Sequence, residues 1–162
     1  MTPSEDEAPA GPSDVESVML ASRAMVAVAA RSLADVEDSV TLPQMRILAL
    51  VDVLGSMTLG DVAAELGVHA SNATRLADRL AAAGLLDRQP VSTDRRSLRL
   101  VLTRRGRRFM DRVTAHRRRS VEEILARIPD AQRRQVAGAF GAFALAAREP
   151  RAGDATHLGW HG

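Results

Sequence analysis

The sequence predicts a mainly α-helical protein with one small β-hairpin. Apolar residues recur at three- and four-residue steps along most of the chain, which is the spacing of amphipathic helices. The spacing changes to alternation only after Gly84, and helical spacing resumes after Thr103. With 162 residues and no cysteine, the chain is long enough to bury a core without disulfide bonds or thiolate metal sites.

The outer parts of the chain are predicted to be helical. We expect amphipathic helices over about 14–38, 104–127 and 130–148, the last two beginning after Thr103 and at Pro129. Residues 1–13 are acidic and rich in Pro and Ser, so we expect them to be disordered, and 149–162 to form a mobile tail. No segment resembles a signal peptide, and the uninterrupted apolar runs are shorter than the ~20 residues of a membrane span. These features indicate a cytoplasmic protein with no membrane partner.

Two short helices joined by a tight turn are predicted near the centre of the chain, after a helix that opens at Thr41-Leu42-Pro43. Thr58, with Asp61 three positions later, is expected to cap the first of the two, and Gly67 to end it in a left-handed conformation. The second is expected over about 70–83. Its inward residues are expected to be Ala73, Leu76, Ala77 and Leu80.

A hairpin is predicted directly after these helices. Its strands are expected at 85–88 and 98–102, with a polar loop at 89–97. A helix-turn-helix followed by a hairpin is a winged helix-turn-helix, here over about 42–103 within a single domain of about 14–148.

Arginine is concentrated in one segment of the chain. Residues 88–119 contain twelve Arg and two Asp, a net charge of +10, whereas the remainder carries −8. Such segregation favours a polyanionic partner, although a solvated basic helix face gives the same pattern.

The run TLGDVAAELGVHASNATRLADRLAAAGLLDR, followed by STDRRSLRLVLTRRG, resembles the helix-turn-helix and wing of the MarR (multiple antibiotic resistance regulator) family. Asp94 and Arg96 match the family's Asp-x-Arg, and 102–106 match its Leu-Thr-x-x-Gly. The resemblance implies a bacterial, homodimeric transcription regulator that binds double-stranded DNA, with repression as the expected effect. Because His69 stands where the family usually has a capping Ser, Ser71 is expected to cap a later helix start.

The second helix of the motif supplies the expected base contacts in the major groove. Ser71, Asn72, Arg75 and Arg79 are predicted to face outward, with Thr74 at the margin. Asn72 can pair with adenine and Arg75 with guanine, while the hydroxyls suit phosphates. Arg79 is expected either to contact phosphate or to pair with a nearby acid.

The hairpin and the following helix supply the expected contacts outside the major groove. By resemblance, Arg96 enters the minor groove, Asp94 orients it, and Arg95 reaches phosphate. The alternative for Asp94 is a turn-forming aspartate, a role that is compatible with orienting Arg96. Arg104 and Arg105 crowd a helix start, where cations oppose the helix dipole unless DNA phosphate is near.

The outer helices predict a homodimer. Their apolar stripes cannot all be buried by one small winged domain, so a second copy is expected to cover them. Two recognition helices would then reach half-sites of a pseudo-palindrome about 34–36 Å apart.

Other functions are less well supported by the sequence. It shows no group of residues typical of a catalytic site, so we expect neither enzyme activity nor a cofactor. His157 and His161, near Trp160, could bind a metal ion weakly, but no metal site is predicted. The competing hypothesis is an architectural DNA-binding protein that senses no ligand and has little sequence preference. By resemblance, a small-molecule effector is expected to bind between the dimerisation helices and the winged domain, at Met19, Arg23, Met45 and Arg46. The alternative for the two methionines is a place in the core, where Met on a helix stripe is more often found.

Overall fold

Six helices and three strands follow one another in the described part of the chain. The structure, a computed structural model, describes residues 11–34, 40–91 and 94–150, with the side chains of 91–97 left undescribed. The elements are α1 (Pro12–Ala34), α2 (Leu42–Leu54), β1 (Met57–Thr58), α3 (Leu59–Leu66), α4 (Ala70–Ala82), β2 (Leu86–Val91), β3 (Asp94–Leu102), α5 (Arg104–Ala126) and α6 (Asp130–Ala146). Residues 1–10 and 151–162, which include most of the predicted disordered segment and the tail histidines, lie outside the described residues.

Helix α2 is the centre of the hydrophobic core. It begins where the sequence predicts, with Pro43 in its first turn and the Thr41 amide donating to Gln44 Oε1 at 2.9 Å. It packs against α4, α5 and β3, so it is buried on most sides rather than along one narrow stripe. Its buried residues are Gln44, Met45, Ile47, Leu48, Leu50, Val51 and Leu54.

The helix-turn-helix of α3 and α4 is held by the predicted local signals. Thr58 Oγ1 accepts the Asp61 amide at 3.2 Å, and Asp61 Oδ2 accepts the Thr58 amide at 2.9 Å, which is a capping box. Gly67 has φ +61°, and the following amide, of Val68, donates to Ala63 O at 3.0 Å. That left-handed conformation reverses the chain and lets α4 pack across α3.

The hairpin is longer than predicted. Strands β2 and β3 extend until Val91 pairs with Asp94, so the predicted nine-residue loop is wrong. Antiparallel pairing uses backbone groups, which polar residues supply as well as apolar ones. Pro90 is tolerated because β2 is an edge strand in the order β1-β3-β2, and the register shifts just after it. Strand β1, too short to show alternation, was not predicted.

Two helices leave large apolar side chains uncovered. Helix α1 buries only Val28, Ser32 and Leu33, and α6 buries none of its described residues. The apolar stripe of α6 does not face the core of its own chain, since Phe140 and Phe143 are 45% and 56% exposed. By length and composition alone α1 could also cross a membrane, although its 23 residues pack partly on α5.

Candidate nucleic-acid interface

Helix α4 presents one apolar and one polar face. Ala73, Ala77 and Leu80 are fully buried, and the small alanines let the helix lie close to α3. The backbone carbonyl of His69 accepts the amides of Asn72 and Ala73, at 2.9 and 3.2 Å, so α4 begins at Ala70. The predicted later start capped by Ser71 is therefore wrong: backbone bonds begin the helix without any side-chain cap.

The outward face of α4 carries the predicted contact residues. Ser71, Arg75 and Arg79 are exposed, and Asn72 and Thr74 are half-exposed. The Thr74 hydroxyl donates to Ala70 O at 2.9 Å, so its proton is used within the helix. Arg75 Nη2 donates to Asn72 Oδ1. The structure thus brings the helix residues of the predicted site onto one surface, and their contacts with DNA stay a prediction.

An ion pair that sequence reasoning missed joins α4 to the hairpin. Arg88 Nη2 of β2 donates to Asp78 Oδ1, and Asp78 is the one acid of α4. Arg79 is therefore not the partner of this acid. The sequence places the two residues ten positions apart, and only the fold of the hairpin could reveal that they meet. Because the pair neutralises Asp78, the outward face of α4 keeps a positive charge from Arg75 and Arg79.

The base of the hairpin is closely packed against the start of α5. Thr103 Oγ1 donates to Gly84 O at 2.6 Å and accepts the Gly106 amide at 2.9 Å. Arg107 Nη1 donates to Leu102 O at 2.7 Å. Two further arginines of this first turn, Arg104 and Arg105, are exposed on α5. This packing fixes the basic start of α5 next to the end of α4.

The predicted wing contacts lie at the tip of the hairpin. Asp94, Arg95 and Arg96 form the first residues of β3, next to the point where Val91 pairs with Asp94. Their side chains lie outside the described residues. The minor-groove role of Arg96 and the orienting role of Asp94 therefore stay predictions.

The four predicted effector positions differ in their surroundings. Met45 is 4% exposed in the core, whereas Met19 and Arg23 lie exposed on α1. Arg46 forms an ion pair at 2.5 Å with Glu149, just beyond α6. A ligand at Arg46 would therefore have to displace this carboxylate, and effector binding at the four positions stays a prediction.

A charged cleft between α2 and α5 was not predicted. It measures about 450 Å³ and brings the two acids Asp52 and Asp111 near the basic side chains of Arg118 and Arg119. Partial burial, and then the negative charge of Asp111, raise the pKa of Asp52 above its ordinary value of 3.8. Asp52 of α2 lies far in sequence from the charged residues of α5, so no local pattern could have placed it beside them.

Replacing Asp52 by Asn should stabilise the protein at neutral pH. A raised pKa means that the folded state binds the proton of Asp52 more tightly than the unfolded state does. This tighter binding stabilises the fold below the unfolded pKa, and the stabilisation is lost as pH rises through the folded pKa. The urea midpoint of Asp52→Asn should exceed that of the parent at pH 7, and the difference should shrink toward pH 4. An equal gain at both pH values would show that charge is not its cause.

Comparison with known proteins agrees with this architecture. Residues 40–98 match the model of the MarR family. The solved structure of RV1404 from Mycobacterium tuberculosis is 39% identical, with a TM-score of 0.80 over 88% of this chain and 99% of that one. YusO from Bacillus subtilis is 27% identical, with a TM-score of 0.65 over 83% and 94% of the two chains.

The match to a third relative extends over a smaller part of both chains. The uncharacterised HTH-type transcriptional regulator YfiV of Bacillus subtilis (strain 168) is 35% identical over 69 residues, which is 43% of each chain. The match to RV1404, in contrast, extends over nearly all of that protein. The chain is therefore a member of the MarR family of DNA-binding transcription regulators.

Proposed function

We propose that the protein acts in the bacterial cytoplasm as a homodimeric repressor that binds a pseudo-palindromic site in double-stranded DNA. The outward face of α4 supports this proposal most directly. It exposes Ser71, Arg75 and Arg79 while Arg88 neutralises its one acid. An α-helix fits the major groove, where arginine pairs with guanine O6 and N7. The hairpin beside α4 would then lie over the adjacent minor groove.

The uncovered faces of α1 and α6 support pairing with a second copy. Both carry large apolar side chains at least 37% exposed in the single chain: Val15, Val18, Met19, Leu20, Met25, Val26, Phe140, Phe143 and Leu145. Soluble monomers rarely leave so many neighbouring apolar groups in water. A two-fold axis lets the same surface cover its own copy, which accounts for both helices with one partner. The apolar composition of α1 would then serve this interface rather than a membrane.

The two-fold symmetry of the proposed dimer explains why its DNA site would be a pseudo-palindrome. The two α4 helices would enter successive major grooves, and a site that overlaps a promoter would exclude the polymerase. A small-molecule effector would act by changing the separation of the two helices. Binding between α1 and the winged part of the chain would have that effect.

Selection of binding sites from a random duplex library tests the proposal. The protein should select an inverted repeat, and Arg75→Ala should weaken binding to it by about 1–3 kcal/mol and relax one base pair in each half-site. Log affinity should fall linearly with log salt, by roughly 0.9 per phosphate neutralised. Arg127→Ala, which removes an exposed arginine at the far end of α5, is the matched control and should leave the motif unchanged.

The same selection separates the proposal from an architectural DNA-binding protein. An architectural protein would bind with similar salt dependence but would yield no common motif, and random duplex would compete as well as the selected site. The absence of a common motif, or equal competition by random duplex, would rule out sequence-specific DNA binding by α4.

A further inference from the structure

The contact between Asn72 and Arg75 bears on how α4 would read DNA. The two residues lie one turn apart, and Arg75 Nη2 donates to Asn72 Oδ1. No other hydrogen bond of Arg75 occurs among the described side chains. Thr74, next to it, donates to Ala70 within the helix. Asn72 is thus the side chain that holds the Arg75 guanidinium.

This contact involves the acceptor atom that Asn72 would need for base recognition. Asparagine recognises adenine by accepting a hydrogen bond from N6–H at its Oδ1 while its amide donates to N7. The bond to Arg75 engages one of the two lone pairs of Oδ1, and the amide is oriented toward the guanidinium. The guanidinium, by contrast, has five N–H donors and spends one on Asn72. Four others remain, and guanine O6 and N7 need only two of them.

We propose that Asn72 is a positioning residue that orients Arg75 toward a guanine, and that it does not read an adenine itself. The inference rests on the proposed function. A free arginine side chain has many rotamers, and fixing one of them on binding costs conformational entropy. Because Asn72 holds the guanidinium before DNA arrives, part of that ordering precedes binding. Asn72 therefore acts on affinity and specificity through Arg75.

A double-mutant cycle combined with site selection tests this role. Asn72→Ala should weaken binding to the selected duplex roughly 3- to 10-fold, the effect of one hydrogen bond. It should relax the same base pair as Arg75→Ala. In the Arg75→Ala background, Asn72→Ala should have no further effect. Alanine favours helix more than asparagine does, so a loss of affinity cannot be attributed to unfolding of α4.

Two further variants test whether Asn72 acts through Arg75 in particular. Arg79 lies one turn beyond Arg75 and forms no hydrogen bond with any side chain that the structure describes, so Asn72→Ala and Arg79→Ala should be additive. Asn72→Asp keeps an acceptor oxygen at the same place and should retain the guanine preference, although its charge weakens binding overall. A merely structural role for Asn72 would not separate base preference from affinity in this way.

The outcomes that overturn the proposal are distinct. If Asn72→Ala relaxes a different base pair from Arg75→Ala, or if the two substitutions are additive, Asn72 contacts DNA directly and the positioning role is wrong. If the unsubstituted protein selects no motif, the proposed function fails as well, and the positioning role fails with it.

Discussion

Replacing Phe143 by Glu should preserve the fold of the chain and abolish its pairing with a second copy. Phe143 is 56% exposed on α6, so within one chain the carboxylate stays in water. In the proposed interface the same carboxylate would be buried without a partner, at a cost of several kcal/mol. Sedimentation should give a mass near 17.4 kDa for the variant and twice that value for the parent. Circular dichroism should show unchanged helix content.

The affinity of this variant for DNA should fall by more than any single contact explains. A dimer binds its second half-site at high effective concentration, so losing the dimer weakens binding by about 10²- to 10⁴-fold. Leu42→Glu is the matched control, since Leu42 is 44% exposed at the start of α2 and lies on neither α1 nor α6. It should sediment as a dimer and bind DNA normally. A dimeric Phe143→Glu variant would exclude this face of α6 from the interface.

The local features of the fold were predictable because they depend on neighbouring residues. Thr58 and Asp61 cap α3 as predicted, and Gly67 ends it in the left-handed conformation. Thr103 caps α5 by accepting the Gly106 amide. Each of these signals operates within four positions of the chain, so the sequence contains all of its partners.

The features that were missed depend on residues far apart in sequence. Arg88 reaches Asp78 because the hairpin folds back beside α4, and Arg46 reaches Glu149 because α6 ends near α2. The hairpin itself was predicted too short, since a polar strand held by backbone bonds has no apolar alternation to reveal it. Periodicity likewise finds the apolar stripes of α1 and α6, but it cannot distinguish a core within one chain from an interface between two.

The other large effect is expected at Gly106, where α5 meets the junction of α4 and β2. A Cβ at this position would lie 2.1 Å from Leu85 O and 3.2 Å from Leu102 Cδ2. The carbonyl cannot turn away without losing the Thr103 amide, which donates to it at 3.1 Å. Gly106→Ala must therefore separate α5 from this junction. The clash should cost about 3 kcal/mol or more, a large part of the stability of a small domain.

Gly138→Ala provides the matched control for Gly106→Ala. A Cβ on Gly138, in α6, meets no atom of its own chain within 4 Å, so within the chain this substitution should stabilise the fold by about 0.5–1 kcal/mol through helix propensity. The same propensity gain applies at Gly106 and is outweighed by the clash. Urea titration should therefore shift the midpoint in opposite directions for the two variants. If Gly106→Ala unfolds at or above the parent midpoint, the close packing of α5 on Leu85 does not constrain the fold.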